Sequence, residues 1–247
     1  MKIEKIKKKK SNIYEVTLSN KDKINLYDDV ILKYELLIKK DIDDKLLKKI
    51  IDDNSYLESY YIALKYISIR LRTEKEIRKK LKNYNKSIND YAINRLKNEG
   101  YLNNSLYIKS YINDEINLKL VGYNKILYDL KKLGFNEEEI KDYLDTIDNN
   151  IFLDKINNYI EKRINTNHNL SALMLKNKIL TDLISKGFNK EDISNILDNY
   201  NIKDNEDIYL KEYNKIKNKL GRKYSGEELE YQIRINLYKK GYKKNLE

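Results

Sequence analysis

The sequence predicts a mainly α-helical chain: tandem three-helix repeats that form an elongated curved array, with a small antiparallel β ribbon at the N-terminus. Three observations support this fold class. The 247 residues include no Pro and only seven Gly, which argues against all-β sandwiches and barrels because those folds need many tight turns. Apolar residues recur with helical spacing from Ser55 onward. The same apolar-and-turn pattern then returns about every 50 residues, which is typical of a repeat architecture.

The N-terminal segment differs from the rest of the chain. Residues 2–27 alternate roughly between apolar and polar side chains, and Ser19–Asp22 interrupts them with a turn signal. This pattern predicts a two- or three-stranded antiparallel ribbon, which needs helices to pack against because an isolated ribbon is marginally stable. Asp28 is expected to open a short helix and residues 43–53 a second one. We therefore expect residues 1–54 to form a ribbon with short helices.

The repeat is defined by an Ile, a Leu four residues later and a turn residue four residues after that. The four sets are Ile77, Leu81 and Asn85; Ile126, Leu130 and Gly134; Ile179, Leu183 and Gly187; and Ile233, Leu237 and Gly241. An Ile and a Leu four positions apart lie on one face of a helix, so both are expected to be buried. The Gly or Asn fits the left-handed position that closes such a helix.

Each repeat is expected to contain three helices. The predicted repeats are 55–101, 102–148 and 149–200, followed by a partial fourth repeat at 201–247. Capping-box patterns predict helix starts at Ser55-x-x-Glu58, Thr73-x-x-Glu76 and Ser225-x-x-Glu228. One such unit buries little apolar surface, so stacking of the repeats is expected to stabilise the fold.

The net charge of +11 is unevenly distributed. Residues 55–102 carry eleven basic against five acidic side chains, whereas residues 103–149 carry six against nine. Ile, Lys, Asn and Tyr are abundant together, as A+T-rich codons would produce, so the excess of Lys is weak evidence for nucleic-acid binding. The alternation of sign indicates a partner that carries both charges, rather than a uniformly basic sleeve around a nucleic acid.

The densest basic segment lies in the first repeat. Its candidate partner-binding residues are Arg70, Arg72, Lys75, Arg78, Lys79 and Lys82. Arg70 and Arg72 are expected at the end of one helix, and Thr73 is expected to cap the next. The four later cations recur at i, i+3, i+4 and i+7, which predicts a basic outer face that binds phosphates or carboxylates. The alternative is an ordinary solvated helix face. Tyrosines of this repeat either stack on bases or, as is more usual at helical spacing, pack in the core.

No residue pattern indicates catalysis. The chain has no Cys, and its one histidine, His168, lies in a predicted loop. Glu137–Glu139 fits the first turn of a helix better than a metal site. Phosphate-binding loops and nucleophile elbows are absent from the sequence. We expect no catalytic residue, no metal and no cofactor. No apolar run is long enough for a transmembrane helix, and we expect a cytoplasmic monomer without membrane association.

The segment Arg70–Leu81, followed by Gly100–Asn104, resembles the RecX family of recombinase regulators. In that family, a basic Arg-x-Arg-[Ser/Thr]-x-x-Glu-[Leu/Ile]-x-x-x-Leu stretch precedes Gly-Tyr-[Leu/Ile]-[Asn/Asp]-Asp. Gly122–Phe135 is similar to the family's second repeat. The sequence departs from the pattern at Asn104, where an acidic residue is usual, and at Asn85, where Gly is common.

This resemblance implies a non-enzymatic protein that regulates DNA repair and recombination, including the SOS response. It implies binding to RecA recombinase filaments on single-stranded DNA, within their helical groove. The expected consequence is slower filament extension, ATP hydrolysis and strand exchange. Two other hypotheses remain open on the residues alone: a general nucleic-acid-binding helical protein, and a helical-repeat scaffold for a different protein partner.

Overall fold

The computed structural model describes residues 1–10 and 12–242. These residues form two compact units, Met1–Tyr107 and a second that begins at Ile108. The strands of the first unit are β1 (Ile3–Lys10), β2 (Ile13–Leu18) and β3 (Lys23–Tyr27). The helices are α1 (Asp28–Lys33), α2 (Asp44–Ile67), α3 (Glu74–Lys80), α4 (Lys86–Asn98), α5 (Asn104–Leu118), α6 (Tyr123–Leu133), α7 (Glu137–Leu144), α8 (Asn150–Asn165), α9 (Ala172–Ser185), α10 (Lys190–Asp198), α11 (Glu206–Leu220) and α12 (Gly226–Lys239).

The predicted N-terminal ribbon is confirmed as a three-stranded antiparallel sheet in the order β1-β2-β3. Val16 lies on the central strand between Ile6 and Ile24 and is fully buried. The apolar face of the sheet packs with α1 and with the first half of α2 around a shared core. The helical support that a small ribbon needs is therefore supplied by the segment that follows it.

Helix α2 corrects one sequence prediction. A break was expected between a short helix over residues 43–53 and a new helix capped by Ser55, but a single helix runs through both. Asp43 is its N-cap, and the carboxylate accepts a hydrogen bond from the Leu46 N–H at 2.6 Å. The Ser55 hydroxyl instead donates to the Ile51 carbonyl at 3.0 Å within the helix. A mid-helix serine that bonds back in this way does not end a helix, and no Gly or Pro interrupts α2.

The tandem three-helix repeats are confirmed. The second half of α2 forms the first repeat with α3 and α4, and it is followed by α5–α7, by α8–α10 and by α11 with α12. The recurring Ile and Leu side chains are all buried: Ile77, Leu81, Ile126, Leu130, Ile179, Leu183, Ile233 and Leu237. The glycines Gly134, Gly187 and Gly241 have φ of +102°, +84° and +85°, the left-handed conformation that closes a helix. Among the described residues, no helix combines the length and apolar character needed to cross a bilayer.

Asn85 does not have the left-handed conformation expected of it. Its φ is −68° and its ψ is 169°, and its side chain accepts the Ile88 N–H at 2.9 Å as the N-cap of α4. Its structural counterparts are the N-caps Asn136 and Asn189 of the later repeats, not their glycines. The connection from Leu81 to the next N-cap is two residues shorter than the equivalent connections in the second and third repeats. The N-cap Asn85 therefore lies at the same distance from Leu81 as the glycines lie from their own leucines.

Successive repeats of the second unit share one type of contact. The Gly122 N–H, at the start of α6, donates to the carbonyl of Lys186 at the end of α9, at 2.9 Å. One repeat later, the Ser171 hydroxyl at the start of α9 donates to the carbonyl of Lys240 at the end of α12, at 2.6 Å. Each contact gives a partner to a carbonyl that a helix C-terminus leaves unpaired, which joins one repeat to the next.

Candidate partner-binding surface of the first repeat

The basic segment is organised around the start of α3. Thr73 is buried, and its hydroxyl accepts the Glu76 N–H at 3.2 Å, while the Thr73 N–H donates to the Glu76 carboxylate at 2.9 Å. The capping box predicted from the sequence is therefore confirmed. It fixes the first turn of α3 and directs the Glu76 carboxylate toward the loop that precedes the helix.

Two of the predicted cations converge on that carboxylate. Arg70 Nη2 lies 2.6 Å and Arg72 Nη1 lies 3.3 Å from Glu76 Oε1. The Arg72 guanidinium also stacks on the Tyr66 ring, 3.9 Å from its centroid. Burial alone would raise the pKa of Glu76, but hydrogen bonds from the Thr73 N–H and from Arg70 outweigh it and hold that pKa below its ordinary value. Both arginines lie in the loop after α2, which ends at Ile67, and not on the helix as expected.

A second ion-pair cluster joins α3 to α4. The Arg78 guanidinium contacts the Glu74 and Asp90 carboxylates, each at 2.8 Å. Lys97 Nζ lies 2.7 Å from the other oxygen of Glu74. The hydrogen bond to Asp90, reinforced by Glu74, raises the pKa of Arg78, so this guanidinium is fixed as a cation between the helices.

The remaining predicted cations have a different environment. Helix α3 ends at Lys80, so Lys82 lies beyond it and is not at the i+7 position of a continuous helix. Lys79 and Lys82 are exposed, and neither ammonium pairs with a carboxylate of the described chain. Lys75 is also exposed, on the first turn of the same helix. The structure thus divides the predicted cations into three arginines held by internal ion pairs and three exposed lysines, of which Lys79 and Lys82 have no carboxylate partner among the described residues.

This arrangement suits recognition of anionic groups. The arginines fasten a short helix at both ends, and the exposed lysines then project from a fixed backbone. Ammonium groups held in this way attract carboxylates or phosphates of a partner at little conformational cost. The sequence analysis did not identify Asp90 and Lys97 as ion-pair partners. Both lie twelve or more residues from the residues they pair with, and they meet them only because α4 packs on α3. The Glu74–Arg78 ion pair, by contrast, could be predicted from the sequence, because residues four apart lie on the same face of a helix.

Tyrosines of the first repeat are used in packing. Tyr60 is buried, and its hydroxyl donates to the Glu99 carboxylate at 2.5 Å while the Arg95 guanidinium lies over its ring. Tyr61 stacks on Tyr27 with 4.6 Å between the ring centroids. These rings belong to the interior and its edge, as the core interpretation of the sequence favoured.

The other residues singled out in the sequence lie apart from this surface. His168 is exposed in the loop between α8 and α9. Glu137 begins α7 and pairs with Lys131 and Lys141, which lower its pKa to about 2. No group of three or more potential metal ligands occurs within residues 1–10 and 12–242.

Comparisons with known proteins agree with these motifs. The family model described as RecX, first three-helix domain, matches residues 60–96, which contain α3 and most of α4. The chain is 30% identical over 248 aligned positions to "Regulatory protein RecX" of Streptococcus pneumoniae serotype 19F strain G54, covering 98% of this chain and 95% of that protein. It is 38% identical to "Regulatory protein RecX" of Finegoldia magna, over 60% of this chain and 74% of that protein.

Solved structures are similar as well. A crystal structure of regulatory protein RecX, 24% identical, has the same fold with a TM-score of 0.69 over 80% of this chain and 98% of its own. A crystal structure of RecX from Lactobacillus salivarius is 28% identical, with a TM-score of 0.56 over 60% of this chain and 97% of its own. With a relative matched over nearly its whole length, and with three-helix repeats and the capped basic segment in place, the chain belongs to the RecX family of regulatory proteins.

Proposed function

We propose that the protein binds RecA recombinase filaments on single-stranded DNA and inhibits their extension, ATP hydrolysis and strand exchange. It acts by binding and not by catalysis, and in this way regulates DNA repair and recombination. The observation that carries the proposal is the full-length similarity to regulatory RecX proteins, combined with the family-like basic segment at Arg70–Leu81.

The arrangement of the first repeat supports a binding role. Arg70, Arg72 and Arg78 stiffen the segment through internal ion pairs, whereas Lys79 and Lys82 remain available to a partner. Tandem repeats can contact several protomers of a filament at once, so weak individual contacts combine into a larger affinity. The alternation of basic and acidic repeats suits a filament that presents both protein and DNA.

The test is the ATPase activity of RecA on single-stranded DNA as the protein is added. Wild type is expected to lower turnover in a saturable manner. Charge reversal at Lys79 and Lys82 together is expected to raise the half-inhibitory concentration about tenfold or more, because two surface contacts of about 0.7 kcal/mol each are lost and become repulsive. These lysines have no partner within residues 1–10 and 12–242, so the double variant is expected to fold normally.

The matched control is the double variant Lys211→Glu and Lys215→Glu. Both side chains are exposed on α11, spaced four apart and without ion pairs among the described residues, and the change in net charge is the same. Control inhibition close to that of wild type would assign the effect to the first repeat. Unchanged ATPase turnover at saturating wild-type protein would overturn the proposal and favour a scaffold with another partner. Equal binding to bare DNA and to filaments would favour general nucleic-acid binding.

A further inference from the structure

A pocket formed mainly by α8 of the third repeat has the features of an anion-binding site. Its volume is about 440 Å³. It is lined by Leu120, Lys155, Asn158, Tyr159, Lys162, Arg163 and Thr166. Three of these side chains are cationic and none is a carboxylate. The spacing 155, 159, 162, 163 and 166 places them on one face of the helix.

Arg163 carries a buried donor without a partner among the described residues. No atom of the described chain accepts a hydrogen bond from its guanidinium, and its Nε is a buried donor without a partner. The nearest carboxylate is Asp182, 3.8 Å from Nη2, and that group already accepts the Tyr159 hydroxyl at 2.9 Å. Arg70, Arg72 and Arg78, by contrast, all donate to carboxylates. The buried Nε is closed to a ligand, but the Arg163 side chain keeps 30% of its surface exposed and its terminal nitrogens make no hydrogen bond to the described residues, which favours an incoming oxyanion.

The two lysines of the pocket have different roles. Lys155 donates to the carbonyls of Ile116 and Lys119 at the end of α5, so its ammonium completes the wall of the pocket. Lys162 is exposed and has no internal partner among the described residues. Lys162 and Arg163 are therefore the cations available to a ligand, one as a mobile point charge and the other as a planar fork.

The apolar part of the pocket narrows the choice of ligand. Leu120 and the half-buried ring of Tyr159 line the same cavity as the cations. A single carboxylate side chain would leave most of the volume empty, whereas a nucleotide brings both an anionic phosphate and a flat base. Bases stack on aromatic rings, and phosphates are bound by Arg and Lys.

We propose that this pocket binds one nucleotide unit of single-stranded DNA, with the phosphate on Lys162 and Arg163 and the base against Tyr159 and Leu120. The site lies in the third repeat, away in sequence from the basic segment at Arg70–Leu81. It does not depend on recombinase, so its test is independent of the proposed filament regulation.

The experiment measures binding of a fluorescent 15-nucleotide oligo-dT to the full chain by anisotropy, without recombinase and over a range of salt. Lys162→Glu is expected to weaken binding about fivefold or more at 0.1 M salt and to lower the slope of log K against log salt by about 0.7, because one phosphate contact is lost. Arg163→Gln is expected to act in the same direction. Its guanidinium makes no hydrogen bond to the described residues and only a long ion pair with Asp182, so the variant should stay close to the wild-type unfolding midpoint.

The matched control is Lys178→Glu, which changes an exposed lysine on α9 of the same repeat that forms no ion pair with the described part of the chain. It changes the net charge equally and is expected to lose less than twofold. Equal losses in Lys162→Glu and Lys178→Glu would overturn the proposal, because they would reflect net charge alone. Equally strong, equally Lys162-dependent binding of a poly-glutamate peptide would also overturn it, since the pocket would then recognise acidic protein segments.

Discussion

Gly122 and Gly187 meet across the junction between the second and third repeats, so closely that neither position has room for a Cβ atom. A Cβ on Gly122 would lie 2.4 Å from the carbonyl carbon of Gly187, and one on Gly187 would lie 2.3 Å from the backbone nitrogen of Lys125. The Gly122 N–H donates to the Lys186 carbonyl in the same contact. Backbone therefore packs directly on backbone where the two repeats join.

Replacing Gly187 by Ala is expected to weaken this junction. Gly134 is the matched control, because it also has a positive φ but has open space around its Cα. Both Ala variants lose about 1 kcal/mol to the left-handed backbone, and only Gly187→Ala adds a steric clash of about 2 kcal/mol. Urea unfolding is expected to show that difference. Amide hydrogen exchange at Gly122 should also become faster in Gly187→Ala alone.

Equal stability of the two variants would contradict the backbone contact. Gly122→Ala is a second test of the backbone contact. The φ of Gly122, −98°, suits any residue, so this variant introduces the clash without left-handed strain. It is expected to lose about 2 kcal/mol by overpacking.

Asn85 provides a test that separates its two structural interpretations. As an N-cap, Asn85 is expected to lose about 1 kcal/mol when changed to Ala but only a few tenths when changed to Gly. In a left-handed position, Gly would instead stabilise the chain and Ala would be strained. Urea unfolding of the two variants distinguishes the cases. A Gly variant clearly more stable than wild type would contradict the observed cap.

The example of Asn85 also indicates how far sequence reasoning reaches in this protein. The buried Ile77 and the Thr73 capping box depend on contacts within one helix, so their spacing predicted them. The Asn85 cap was missed because its spacing from Leu81 matched the glycines, although a shorter connection had moved the cap to that position. The partners of Arg78 were only half predictable, since Glu74 lies one turn away but Asp90 is brought close by packing of α4.

Arg78 and Lys79 are adjacent in sequence but are expected to respond differently to substitution. Arg78→Ala leaves the Glu74 and Asp90 carboxylates without their shared cation, and it is expected to lower the free energy of unfolding by about 1 kcal/mol, a modest value because the group is partly exposed. Lys79→Ala is expected to stay within about 0.5 kcal/mol of wild type. For a given loss of stability, Lys79→Ala is expected to lose more inhibition than Arg78→Ala in the filament ATPase assay. A Lys79 variant as destabilised as Arg78→Ala would contradict the division of the cations.

Acid is expected to destabilise the first repeat through Glu76. Its pKa in the folded chain lies below the ordinary value of 4.5, since hydrogen bonds from Thr73 and Arg70 overcome the effect of burial. A carboxylate with a lowered folded pKa contributes stability that is complete above pH 4.5 and is lost as the pH falls through the folded value. Glu76→Gln keeps an acceptor for the Thr73 N–H but cannot ionise. The urea midpoint of this variant is expected to fall less between pH 7 and pH 3 than that of wild type.

Glu138→Gln is the control for this acid effect. Glu138 is exposed on α7 and forms no ion pair with the described residues, so its removal is expected to leave the difference between pH 7 and pH 3 unchanged. High salt separates the ionic part of the Glu76 contribution from the capping part, because it screens Arg70 and Arg72 but not the hydrogen bond to Thr73. We therefore expect 1 M NaCl to reduce the gap between wild type and Glu76→Gln at pH 7 without abolishing it. An identical pH response in wild type and Glu76→Gln would show that the carboxylate is not held by these partners in solution.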